Sequence, residues 1–152
     1  MAKGIEVGLD AALEKKWRTR QNILRRLLRE TEPTEDKKAG TVSHRTRGYT
    51  PEQFTIIMIL AEFGHGVRIS EIAGAVDMPH ANISRSLDRL EQKGLVLRKR
   101  GHDRREVLVR LTLEGNKAAG RLRDVERKLQ AEIWGDYDRA EQEILLKLLT
   151  RT

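Results

Sequence analysis

The stretch that decides the fold is Pro79-His80-Ala81-Asn82-Ile83-Ser84-Arg85-Ser86-Leu87-Asp88-Arg89-Leu90-Glu91-Gln92-Lys93-Gly94, continued by Leu95-Val96-Leu97-Arg98-Lys99-Arg100-Gly101-His102-Asp103-Arg104-Arg105-Glu106-Val107-Leu108-Val109-Arg110-Leu111. Its first part has helical period. At about 100° per residue, Ile83, Leu87 and Leu90 fall on one face, which must point to a core. Ala81, Asn82, Arg85, Asp88 and Arg89 fall on or near the opposite face. Pro79 suits the opening of this helix and Gly94 suits its end. Beyond Gly94 the period changes. Leu95 to Arg98 and Glu106 to Leu111 are short apolar, β-branched runs that read as the two strands of a hairpin. Residues 98–110 hold six Arg or Lys and two acids, so the tip of the hairpin is strongly basic.

Upstream, a short helix over Ser70 to Val76 turns Ile72, Ala73 and Val76 inward, with Ile69 just before it. Asp77-Met78-Pro79 makes a brief turn to the next helix, and two short helices so joined form a helix-turn-helix pattern. Thr50-Pro51-Glu52-Gln53 is a strong helix start: Thr50 caps, Pro51 suits the first position, and Gln53 reaches back as the third residue. Phe54, Ile57, Met58, Leu60 and Ala61 supply a core face, and Phe63-Gly64-His65-Gly66 ends it. Residues 9–30 read as an amphipathic helix through Leu9, Leu13, Trp17, Leu24, Leu27 and Leu28. Thr31 to Gly48 is polar and aperiodic, a long loop or arm.

Downstream, Thr112 caps a final long helix that carries Glu114 in its first turn, where the helix dipole favours an anion. Ala118, Leu122, Val125 and Leu129 form its apolar stripe, and Ile144, Leu145, Leu148 and Leu149 belong to one more short helix. The predicted architecture is mainly α with a small β-hairpin wing, an α+β winged helix-turn-helix. Its parts are an N-terminal helix over 1–30, a polar linker or arm over 31–48, the winged lobe over 49–113 and C-terminal helices over 114–152.

Composition narrows the function. The 152 residues contain no cysteine, which removes disulfides, thiolate metal sites, cysteine nucleophiles and thiol redox sensing. No apolar run approaches the ~18 residues of a membrane span, and the first residues lack the apolar core of a signal peptide. A soluble cytoplasmic protein, associated with the nucleoid, is expected. Histidines 44, 65, 80 and 102 are scattered without metal-ligand spacing, and no nucleophile elbow, phosphate loop or glycine fingerprint occurs. No catalytic, metal or cofactor site is therefore expected. The net charge is +7, and residues 37–112 concentrate it, with 14 Lys or Arg against 8 Asp or Glu. Such a localised excess is the footprint of a polyanion binder, although a merely soluble basic protein would share it.

The outward side of the helix that follows Pro79 suits the major groove. Arginine pairs bidentately with guanine and asparagine with adenine, and recognition helices place N-terminal residues at base edges. Asn82 and Arg85 are the leading candidates, with His80, Ser84 and Arg89 beside them; a plain solvated helix face is the alternative. On the hairpin, Arg100, Arg104 and Arg105 suit insertion into a narrow minor groove. Asp103 stands two residues from Arg105, and on an extended strand that spacing puts its carboxylate beside the guanidinium. An ordinary surface ion pair, worth little, is the alternative there. Ser70 opens its helix, where free N–H groups suit a phosphate or where the serine is a simple N-cap.

Several motifs in order resemble the MarR family of winged-helix regulators. They are Tyr49-Thr50-Pro51-Glu52-Gln53-Phe54, Ile69-Ser70-Glu71-Ile72-Ala73, the run from Ser84 to Val96, Asp103-Arg104-Arg105, and Leu111-Thr112-Leu113-Glu114-Gly115. The resemblance covers residues about 49–130. It implies that the helix over 79–93 is the recognition helix. It also implies that Arg105 enters the minor groove braced by Asp103, and that the N- and C-terminal helices make a two-fold homodimer. A pseudo-palindromic double-stranded DNA operator and release of DNA by a small, often aromatic, anion follow from it as well. The chain is then a transcriptional regulator, a repressor by expectation. Two other readings share the pattern: a winged helix used as a protein-interaction module, and a non-specific architectural nucleic-acid binder. The chain departs from the family in a short loop between Lys99 and Asp103 and a long stretch over 31–48, where Lys37, Lys38, Arg45 and Arg47 would add phosphate contacts.

Overall fold

The computed structural model describes residues 2–31, 48–76, 78–103 and 105–151, with side chains from Gly8 onward. The arm expected over 31–48, apart from its two end residues, lies outside them, as do Asp77 and Arg104.

The first helix, α1, spans Ala2–Glu30 and so begins before the apolar repeat expected from Leu9. Helix α2 spans Pro51–Phe63 and starts as its sequence dictates: Thr50 Oγ1 accepts from the Gln53 amide while Gln53 Oε1 accepts from the Thr50 amide. Its end is set by Gly64, whose φ of 65° lies in the left-handed region that favours glycine. A two-residue strand, β1 (Val67–Arg68), then runs straight into α3 (Ile69–Val76). Helix α4 spans His80–Gln92 and stops before Gly94, which has φ of 72°. The hairpin follows as β2 (Val96–Arg100) and β3 (Val107–Leu111), after which come α5 (Leu113–Trp134) and α6 (Arg139–Leu149).

The strands form an antiparallel sheet in the order β1-β3-β2, with Val67 opposite Val109 and Arg98 also opposite Val109. Strand β1 is the element absent from the sequence expectation. Two residues are too few for a period-two signal, and only pairing with β3 makes Val67 and Arg68 a strand.

The core gathers the positions read from helical spacing. Ile72, Ile83, Leu87, Leu90 and Leu122 are fully buried, together with Leu24 and Leu28 of α1. Phe54, Ile57 and Leu60 are buried as expected, whereas Met58 and Ala61 only pack against the cluster from its edge, and Ile56 is fully buried instead. Helix α5 closes the lobe at close range. Thr112 Oγ1 donates to the Gly94 carbonyl, and a β-carbon at Gly115 would lie 2.0 Å from the Leu95 carbonyl oxygen. Only glycine lets the start of α5 approach β2 so closely.

Candidate nucleic-acid interface

Helix α4 exposes the side expected of it. Arg85 and Arg89 are exposed and Asn82 is half-buried, while Ile83, Leu87 and Leu90 on the other side have no exposed surface. The two leading candidates are joined: Arg85 Nη2 donates to Asn82 Oδ1 at 2.9 Å, and Arg85 Nε donates to the Ala81 carbonyl at 3.4 Å. The arginine thus orients the asparagine amide and leaves its NH2 group directed away from that bond. Ser84 is half-buried and His80 is exposed at the first turn. Ser86 faces inward, and its hydroxyl donates to Glu52 at 2.7 Å, which satisfies a polar group at the seam of α2 and α4.

The end of the wing faces His80 at the start of α4, whereas Asn82, Ser84, Arg85 and Arg89 do not line the space between them. One open hollow of about 610 Å3 is lined by Arg68, Ser70, His80, Asp103, Arg105 and Glu106, among others. Four of the candidate residues, drawn from α3, α4 and the wing, therefore face a common space. Its wall is braced by the ion pair of Arg68 in β1 with Glu106, the residue before β3. Arg100, at the end of β2, is exposed.

Two local expectations are corrected. The Asp103 carboxylate accepts from the backbone amide of Arg105 at 3.1 Å rather than from its guanidinium. Residues 102, 103 and 105 are bends and turn, so the rule that i and i+2 share a face of a strand does not apply to them. Asp103 shapes the turn, and the Glu106 backbone N–H closes it by donating to the Asp103 carbonyl. Ser70, in turn, does not cap α3. The helix begins one residue earlier, and Glu71 Oε2 accepts from the Arg68 amide at 2.8 Å. Ser70 lies exposed in the first turn and lines the hollow.

Residues 47–106 match the MarR family. The lobe that holds these residues is similar to the MarR family. A protein of Thauera aromatica, proposed as the transcriptional regulatory protein for the hcr operon, is 28% identical over 107 residues. That match covers 70% of this chain and 64% of the relative, so the chain spans about two thirds or less of the relative's length. Among solved structures, a mutant MarR from E. coli complexed with operator DNA has a TM-score of 0.75 at 22% identity, over 94% of this chain and 91% of that one. BpsR of Bordetella bronchiseptica, whose DNA binding is regulated by 6-hydroxynicotinic acid, has a TM-score of 0.72 at 18% identity, over 93% and 96%. These two likenesses establish a shared fold over more than nine tenths of the chain.

The lobe also shows residues that sequence reasoning passed over. Arg98 reaches from β2 onto α4, where its guanidinium meets Asp88 and Glu91. Arg68 and Glu106 join β1 to the wing. Lys93 lies over the Tyr49 ring, 5.0 Å from its centroid, and donates to the Gly48 carbonyl at 3.1 Å. Burial first, and the neighbouring Arg89 charge second, push the Lys93 amine below its ordinary value of 10.5. None of these pairs has a sequence signal, because each joins residues brought together by the turn of the chain. Among the described residues no cluster of His, Asp or Glu is arranged to hold a metal, and no helix is long and apolar enough to cross a membrane.

Proposed function

We propose that this protein is a sequence-specific, double-stranded-DNA-binding transcriptional regulator that works as a homodimer, acting as a repressor in the cytoplasm on the nucleoid. In this reading α4 enters the major groove, where Asn82 and Arg85 meet base edges and Ser84 and Arg89 flank them. Arg105, with Arg100 and Arg104, enters the adjoining minor groove, and Ser70 and His80 lie at the backbone between the two. The observation that carries it is the common space faced by Ser70, His80, Asp103 and Arg105. The first turn of α4, a helix with base-reading residue types, and the end of the basic wing face one space, in the part of the sequence that holds the excess positive charge.

The dimer reading rests on unpartnered apolar side chains. Leu9, Leu13 and Trp17 on α1 and Ile144, Leu146, Leu148 and Leu149 on α6 are all about half exposed or more. Lys16 donates to the Ile133 carbonyl at 2.9 Å, which sets α1 beside the end of α5 from which α6 departs. A two-fold contact through these helices presents two copies of α4 to a pseudo-palindromic operator about 34 Å apart, one turn of DNA. A small-molecule effector that relieves binding fits the same reading, as the regulation of BpsR by 6-hydroxynicotinic acid illustrates for a protein of the same fold.

A salt titration on a palindromic duplex and a scrambled one tests this. Specific binding keeps an affinity ratio of about 10³ or more as salt rises. A steep salt dependence without a ratio marks an architectural binder, and no binding to either duplex marks an interaction module. Arg105→Ala should weaken binding strongly and disturb A·T-rich flanks most; an unchanged footprint contradicts the assignment of the wing.

A further inference from the structure

Strand β2 and helix α4 are joined by one side chain. Val96, Arg98 and Arg100 share a face of β2: Val96 is in the core, Arg98 is half-buried and Arg100 stands exposed at the wing tip. Arg98 Nη1 meets Asp88 Oδ1 at 2.7 Å and Glu91 Oε2 at 3.4 Å, and Nη2 donates to the Ser84 carbonyl at 3.1 Å. Positions 84, 88 and 91 follow one another up a single stripe of a helix, a turn apart. The planar guanidinium therefore grips successive turns of α4 on the side next to the wing. Its Nε is buried and meets no partner among the described residues, so what ties this guanidinium to α4 is its two Nη groups.

We infer that Arg98 is a positioning residue for DNA reading. Its fork locks α4 at a fixed angle to the wing, so that the base-reading side of the helix and the arginines of the wing reach one duplex together. This rests on the DNA-binding reading above. Two physical arguments support it. Strand β1 and the ion pair of Arg68 with Glu106 hold the wing on its β3 side, and the Arg98 fork holds it on its β2 side, so a small rotation at that root becomes a larger displacement at Arg100 and Arg105. Asp88 and Glu91 are carboxylates on the helix offered to a polyanion, and Arg98 neutralises both where they stand. Lysine would keep the charge, but a single ammonium lacks the rigid fork that spans carbonyl and carboxylates at once.

The test uses the full chain, the duplex that the wild type enriches from a random pool, and a shuffled duplex of the same composition. In DNA-free R98K, amide exchange over residues 84–92 and 96–100 should quicken while α5 stays protected. Affinity for the shuffled duplex should hold within about twofold, and the ratio between the duplexes should fall about tenfold or more. The double variant D88A/E91A removes both carboxylate acceptors and leaves Arg98 in place. It should bind the shuffled duplex more tightly and also lose the ratio, which keeps the inference testable if R98K folds poorly. Unaltered exchange and an unaltered ratio in both variants overturn the lock. Equal loss on both duplexes in R98K, with a shallower salt slope, also overturns it and makes Arg98 a phosphate contact. A wild-type chain that prefers no duplex over the shuffled one overturns the DNA reading itself, whatever the exchange shows.

Discussion

The winged lobe and the terminal helices carry the same kind of apolar repeat, but the first half of α1 and α6 find no partner for theirs among the described residues. Ile83, Leu87 and Leu90 of α4 meet α2, α3 and the sheet and have no exposed surface. Leu9 and Trp17 of α1 remain 60% and 57% exposed, and Leu148 of α6 remains 60% exposed. Helix α1 itself holds both cases: Leu24, Leu27 and Leu28 are buried in the face that packs on α5 and α2, whereas the repeat two turns earlier is bare. An amphipathic stripe therefore specifies that something will cover it, not which chain supplies the cover.

Substitutions that separate the two regions sharpen this contrast. The largest effect is expected at Leu87→Asp, which buries an unpaired charge and should destabilise the lobe by about 4 kcal/mol or more. Chemical denaturation measures it, and a loss below about 1 kcal/mol would show that the lobe opens there. Trp17→Ala is next. It should leave the lobe's melting unchanged and weaken self-association about 30-fold or more, as for a central interface residue. Sedimentation over a concentration series decides, and an undisturbed dimer would move the contact away from α1.

Smaller effects belong to the reading face. Asn82→Ala and Arg85→Ala should each cost about 1–3 kcal/mol of discrimination between duplexes. Because Arg85 holds the Asn82 amide, the double variant should cost less than the sum. Strict additivity in a binding cycle would mean that the two residues read independently. The smallest effect concerns Lys93. Its amine is depressed in the folded chain, so the unfolded chain binds that proton more tightly. Stability from this group should accordingly rise with pH as the solution passes from the folded value toward 10.5. Lys93→Met should flatten that rise in denaturation curves along a pH series; an identical slope would show that the amine titrates normally.

Much of the fold is legible in the residues. The box formed by Thr50 and Gln53, the stop at Gly94 and the stripe through Leu87 depend on near neighbours in the chain, and each is found where its chemistry puts it. Strand β1 and the inward turn of Ser86 are not legible, because Val67 needs Val109 and Ser86 needs Glu52, both far away in the chain. The site divides in the same way. The residue types on α4 and the wing stand out in the sequence, but the partner of Asp103 depended on whether its backbone was strand or turn, and the fork of Arg98 on where α4 came to rest.

Alone, the amino-acid order determined the periodic elements, their caps, the placement of positive charge and the absence of thiol chemistry, since these follow from local sterics and residue type. The tertiary structure decided that α3, α4 and the wing face one hollow, that Arg98 ties helix to strand, and that half of α1 and all of α6 keep an apolar face bare. Those are properties of distance between segments remote in the chain, and distance is settled only when the whole core closes.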